Sequence, residues 1–254
     1  PKNFRSKSTH QYHNTDVVII GAGLSGLAAA KKFINTKYKV LLIEQDSYLG
    51  GILKNSNKVK TINGLTPQEW ISETEELILN SKNITILKNT LVTTYNFTNH
   101  LIALEDKFAG KKIDLNKSEL TLHKIRTSNT IIANGHIERF ISFRNNDLPG
   151  VMLASSFEKY IHRYGVVPEK EPVIFTNNSS SLSLLKKLIS LGCKPKAYVD
   201  SRKKDNIETE IKKILKDKEI AFFSDAEIEG CDGNKKVETT TIRQGKAFTK
   251  LKSS

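Results

Sequence analysis

The sequence predicts an α/β chain of two Rossmann-like dinucleotide-binding units, with a β-meander inserted in the first. Three observations predict it: a buried β-branched run that enters a glycine turn at Gly21–Gly26, a βαβ unit closed soon after it, and a second βαβαβ run beyond Pro172. The first unit is expected over residues 16–168 and the second, incomplete, over residues 169–254. Residues 1–15 are polar and carry no apolar period, so they read as a linker.

Each element follows from its pattern. Val17-Val18-Ile19-Ile20 is the continuous apolar run of a strand covered on both faces of a parallel sheet. Leu27 to Ile34 supplies a helix, and Lys39 to Ile43 a second buried strand that stops at Glu44. Pro67 to Asn80 places a proline near a helix start and repeats apolar residues at Trp70, Ile71, Leu77 and Ile78, the mark of an amphipathic helix. Ile84 to Leu87 is a third strand. From Leu91 to Arg126 short apolar segments alternate with polar turns, which predicts an antiparallel meander, before Thr130 to Ala133 returns to the sheet and ends at Asn134-Gly135.

The second unit repeats the plan. Val173 to Thr176 is a strand, Ser181 to Leu191 a helix ended by Gly192, and Ala197 to Val199 a strand ending at Asp200. Ile207 to Leu215 is a helix and Ile220 to Phe223 a strand, with a further β segment around Val237 to Ile242. The chain starts at Pro1 without an initiator methionine and stops soon after that segment, so it is expected to be a fragment truncated at both ends.

Composition narrows the function classes. No apolar run approaches the roughly 20 residues of a membrane span, so no membrane anchor is expected, and no secretory signal is visible. Cys193 and Cys231 are too distant for a redox CxxC pair and too few for a disulfide scaffold, which fits a reducing cytoplasm. The formal charge of +13 could attract nucleic acid. Its lysines are scattered with few interleaved aromatics and no nucleic-acid module appears, so a solvated basic surface is the expected reading and no nucleic-acid partner is assigned. Attraction to an acidic partner subunit stays open.

The candidate site gathers on the first unit. In Gly21-Ala22-Gly23-Leu24-Ser25-Gly26, Gly21 permits the tight turn, Gly23 the approach of a pyrophosphate and Gly26 the packing of helix on sheet. The helix start offers N–H groups and partial positive charge to phosphate. Glu44, with Gln45 beside it, ends the second strand, where a carboxylate can accept from both hydroxyls of an adenosine ribose and would repel a 2′-phosphate. That disfavours NADP and leaves NAD or FAD. Gly50-Gly51 is either a second glycine pair along the cofactor or an ordinary loop, and Ala133-Asn134-Gly135 either a backbone contact or a plain strand-ending turn. Thr176 to Ser181 has no glycine and is expected to be structural or weakly binding. The six histidines, His10, His13, His100, His123, His136 and His162, show neither metal spacing nor a paired nucleophile, so no catalytic residue and no metal site are assigned.

The chain resembles the central part of the alpha subunit of heterotetrameric sarcosine oxidase. The stretches that carry the likeness are Asp16 to Ala30, Gly135-His136-Ile137-Glu138-Arg139, Asn145 to Ala154 (NNDLPGVMLA), Arg163-Tyr164-Gly165-Val166 and Val173 to Asn178. The first is shared by many flavoproteins; NNDLPGVMLA and FTNN are more particular. The resemblance implies the two-dinucleotide-domain fold of the flavoprotein and disulfide-reductase type and an NAD-binding subunit. It also implies a beta-type subunit holding the oxidising FAD, FMN near the subunit interface, and smaller subunits of a hetero-oligomer. The activity implied is oxidation of sarcosine, a small secondary amine, to glycine with peroxide formation and one-carbon transfer to tetrahydrofolate. Where the family has Ala-Thr-Gly, this chain has Ala133-Asn134-Gly135. Related amine-oxidising assemblies share parts of the pattern, so an FAD-dependent amine or opine dehydrogenase subunit and a noncatalytic NAD-binding scaffold remain alternatives.

Overall fold

The computed structural model describes residues 7–54, 59–106 and 119–252. The chain divides into two compact units, Pro1–His136 and Ile137–Ser254. The boundary expected near residue 168 therefore falls earlier. The reason is an unforeseen helix, α3 (Ala154–Tyr164), whose Phe157 and Ile161 join the core of the second unit with Leu184, Leu188 and Ile211.

The first unit is a six-stranded sheet of β1 (Lys7–Ile20), β2 (Val40–Ile43), β3 (Ile84–Leu87), β4 (Thr90–Tyr95), β5 (His100–Asp106) and β6 (Glu119–Ile132), in the order β3-β2-β1-β6-β5-β4. Strands β1, β2, β3 and β6 run parallel, with Ile20 opposite both Ile43 and Ile132. Every residue of β2 is buried, as its unbroken apolar run requires. Helices α1 (Leu24–Lys31) and α2 (Pro67–Leu79) supply Leu27, Trp70, Ile71 and Ile78 to a core with Ile19 and Leu42. Thr66 caps α2, accepting from the Glu69 N–H while the Glu69 carboxylate accepts from the Thr66 N–H, and Pro67 sits in the first turn. Leu77, expected on the apolar face of α2, is instead exposed.

The meander is present as β4, β5 and β6, paired antiparallel in sequence; residues 107–118 of the predicted stretch lie outside the described residues. Its last strand does not stop before the sheet returns. Leu120–Leu122 and Thr130–Ile132 belong to one strand, β6. The expected linker is corrected with it: residues 7–15 extend β1, paired with β6 from Lys7 opposite Glu119 to Thr15 opposite Thr127. Polar residues hold this extension because the ladder bonds are backbone bonds and the cross-strand pairs are polar: Thr9 with Thr121 at 2.9 Å and His13 with His123 at 2.8 Å.

In the second unit β7 (Val173–Thr176), α4 (Ser181–Ser190), β8 (Ala197–Asp200), α5 (Thr209–Asp217) and β9 (Ala221–Ser224) form a parallel sheet in the order β7-β8-β9. The expected repeat of the βαβαβ plan is thus present. The late β segment is larger than expected: β10 (Glu227–Asp232), β11 (Thr239–Gln244) and β12 (Ala247–Lys252) make a separate antiparallel sheet.

Candidate dinucleotide site

The three glycines of the turn after β1 differ in what surrounds them. Gly21 has φ +96°, and a Cβ built on it would lie 2.5 Å from the Ala133 carbonyl oxygen. A Cβ on Gly26 would overlap the Gly21 carbonyl oxygen. Both positions therefore belong to the packing of turn, helix and β6. Gly23 has φ −71°, and a Cβ there would meet nothing within 4 Å. Among the described residues its lack of a side chain serves no neighbour, and it keeps open the space before the helix. Gly23 is also the N-cap of α1 and supplies no side-chain cap. The first-turn amides are therefore presented to whatever occupies that space. Ser25, in that first turn, is exposed.

Ala22 links the turn to the ends of neighbouring elements. It is fully buried; its N–H donates to Glu44 Oε2 at 2.7 Å and its carbonyl accepts from the Gly50 N–H at 2.8 Å. Glu44 is only 7% exposed, and its Oε1 accepts from the Asp46 N–H at 2.9 Å. Two backbone amides thus fix the carboxylate while each oxygen keeps a further lone pair for a ligand hydroxyl. Gln45 is exposed.

Gly50 and Gly51, at φ +106° and +52°, adopt backbone conformations that favour glycine, and a Cβ on Gly51 would approach the Gly23 Cα to 3.1 Å. The second glycine pair therefore abuts the first turn. At the other side, the Ala133 N–H donates to the Ile20 carbonyl at 2.8 Å, and Asn134 Cα lies 3.1 Å from where a Gly21 Cβ would stand. Gly135, at φ +70°, has open space around it. The structure brings Gly21 to Gly26, Glu44, Gly50, Gly51, Ala133 and Asn134 to one end of the parallel strands; no described contact draws Gln45 or Gly135 into the cluster.

Sequence reasoning missed a buried polar chain on the meander side. His123 is fully buried, its Nδ1 2.8 Å from His13 Nε2 and its Nε2 3.2 Å from Glu105 Oε2. Burial pushes the His13 pKa below its ordinary value, with the charge of His123 adding to the effect. The one available signal was the alternation Thr121, His123, Ile125, Thr127, which puts four residues on one buried face.

A parallel sheet whose first strand enters a glycine turn and whose second ends at a buried carboxylate defines a dinucleotide-binding domain of the Rossmann class. The family model for pyridine nucleotide-disulphide oxidoreductases matches residues 15–251, and the chain belongs to that family. It is also similar to sarcosine oxidase subunit alpha of Corynebacterium sp. (strain U-96), 30% identical over 72% of this chain and 19% of that protein. The same subunit of Rhizobium meliloti (strain 1021) is 30% identical over 91% of this chain and 22% of its own length. The chain thus spans about a fifth of the curated relatives it matches. The likeness to sarcosine oxidase alpha subunits read from the residues is borne out. Among solved structures, T. acidophilum thioredoxin reductase shares the fold at a TM-score of 0.64 and 15% identity, over 94% of this chain and 74% of that one. No described helix is long and apolar enough to cross a membrane.

Proposed function

We propose that the chain is the dinucleotide-binding part of an alpha-type subunit in a sarcosine oxidase-type complex, with the adenosine diphosphate of NAD on the glycine turn. The observation that carries this is the pairing of bare, open Gly23 with the anchored Glu44 carboxylate. The residues fit the ligand in two ways: the α1 amides face a space without a side-chain cap, and Glu44 retains acceptor capacity for the ribose hydroxyls. Glu44 repels a 2′-phosphate, which favours NAD over NADP. FAD carries the same adenosine ribose and is the alternative occupant.

A bound dinucleotide supplies redox chemistry or, if NAD serves a structural role, only stability. This chain's residues bind and orient it. The printed name of its relatives, sarcosine oxidase subunit alpha, supports a place in a multi-subunit complex. Extending the resemblance read from the residues, we further propose a cytoplasmic complex in which a beta-type flavin subunit carries FAD, FMN sits nearby, and sarcosine is oxidised with peroxide formation and one-carbon transfer to tetrahydrofolate.

The test is co-expression of the full-length gene with its beta-type partner, followed by release and mass spectrometry of the noncovalent cofactors and assay of sarcosine-dependent peroxide. NAD together with flavins, and turnover of sarcosine, is the expected result. FAD on this chain without NAD would replace the reading with a self-sufficient flavin dehydrogenase, and the absence of any dinucleotide would sink both.

A further inference from the structure

The βαβ plan occurs twice, so the fold offers a second dinucleotide crevice at the ends of β7 and β8. The residues there do not fit a dinucleotide. We propose that the second unit is a non-binding copy whose crevice is filled from within by Arg202, so that the chain holds one dinucleotide and not two. The count of one rests on the function proposed above; the closure of the second unit does not.

The turn after β7 is the first reason. Residues 177–180 contain no glycine and adopt no positive φ, so the backbone is sheathed in side chains where Gly23 is bare. Two of its amides also bond side chains of the turn itself. The Asn178 N–H donates to Thr176 Oγ1 at 3.2 Å, and the Ser180 N–H to Asn178 Oδ1 at 2.9 Å. These donors are therefore already committed when a phosphate arrives. At the start of α4, Ser181 Oγ is engaged by the Tyr198 hydroxyl at 2.6 Å in a buried contact.

The second reason is the fate of the acid. Asp200 ends β8 much as Glu44 follows β2, one register position earlier, since Thr176 pairs with Asp200 where Ile20 pairs with Ile43. Asp200 is wholly buried, and Arg202 covers both of its oxygens: Nε to Oδ1 at 3.0 Å, a terminal nitrogen to Oδ2 at 2.9 Å, and its backbone N–H to Oδ1 at 2.9 Å. A ribose could bond Asp200 only by expelling a bidentate guanidinium.

The guanidinium does more than block. Its other terminal nitrogen reaches Ser179 Oγ at 3.1 Å and the Asn206 carbonyl at 3.2 Å, while Glu208 lies 3.5 Å away and accepts from the Ser179 hydroxyl. One side chain thus ties the turn after β7, the end of β8 and the segment entering α5, the three pieces that a bound adenosine diphosphate would otherwise span. Turning Arg202 outward to read a ribose phosphate would leave Asp200 buried and unpaired, with Glu208 repelling the incoming anion.

The experiment is equilibrium binding of NAD, NADP and FAD, each at saturation, to the chain and to its Gly23→Val variant, with stoichiometry from native mass spectrometry and amide exchange of the bound forms. At most one equivalent per chain is expected, without slowing of exchange over residues 177–180 in either protein. A second equivalent, or ligand-induced protection of residues 177–180, would overturn the proposal. Zero equivalents with the unaltered chain would sink the function proposed above and leave the closure of the second unit standing.

Discussion

The turn between β1 and α1 and the turn between β7 and α4 join the same kinds of element, yet they treat their polar groups in opposite ways. In the first, glycine leaves the backbone bare and the carboxylate at the next strand end is fixed by two amides. In the second, the Thr176 and Asn178 side chains take up two turn amides and Arg202 neutralises the carboxylate. A helix N-terminus attracts anions only as far as its donors are left unspent by the protein itself. Shared topology therefore gives a place for a ligand, and side chains decide whether the place is open.

The sharpest way to break this comparison is within the first turn, where packing and binding roles fall on different glycines. Gly26→Val forces a Cβ into the Gly21 carbonyl and should destabilise the unit by about 3 kcal/mol or prevent folding. Gly23→Val puts a Cβ where no described atom lies within 4 Å, at a φ that valine tolerates, so its stability should stay within about 1 kcal/mol of the parent. Thermal unfolding of the two variants checks this. Equal losses would mean that Gly23 also serves packing, and the assignment of its bare surface to a ligand would fall.

A smaller effect separates the two acids. Arg202→Met removes the partner of a wholly buried carboxylate and should cost about 2 kcal/mol, the lower side of what breaking a buried pair costs because Arg202 itself reaches solvent. Adding Asp200→Asn to that variant should recover part of the loss, since no uncompensated charge then remains. Chemical denaturation of the single and double variants measures both quantities. A single variant as stable as the parent would show that the guanidinium does not hold the second turn together.

What could be read from the residues divides along the same line. Buried parallel strands announce themselves as unbroken apolar runs, as in β2, and the glycine spacing marks the first turn because it is contiguous in sequence. Contacts set by distant approach leave no such mark. Ala22 meets Glu44 across a βαβ crossover, and His13 meets His123 through a register that brings together residues 110 positions apart. Helix α3 sets Phe157 and Ile161 four residues apart on one face, but its composition is polar and no buried strand lies directly beside it in the sequence to mark it as part of a βαβ unit. The run Ser201-Arg202-Lys203-Lys204 reads as a solvated basic stretch, which hides the one residue of it that faces inward. The amino-terminal part of β1 was illegible for the reason that its pairing is polar on both sides.

That polar pairing gives the smallest effect, and it must be separated from the turn when the first unit is titrated. His123 donates through Nε2 to Glu105, which leaves its Nδ1 as acceptor and makes His13 the donor. Protonating both rings would set two N–H groups face to face. Burial, then the neighbouring His123, holds the His13 pKa below its ordinary value of 6.5. A group whose folded pKa is lowered contributes its full stability above the unfolded value and loses it as pH falls through the folded one. Stability from this pair should thus be complete above about pH 6.5 and decline on acidification below it, by about 1 kcal/mol, the worth of the hydrogen bond at stake. His13→Leu should be less stable than the parent at neutral pH and converge with it in acid. Melting temperatures of both proteins across that range decide the matter: parallel curves would show that His13 titrates as it does in the unfolded chain, and that acid sensitivity of the first unit arises elsewhere.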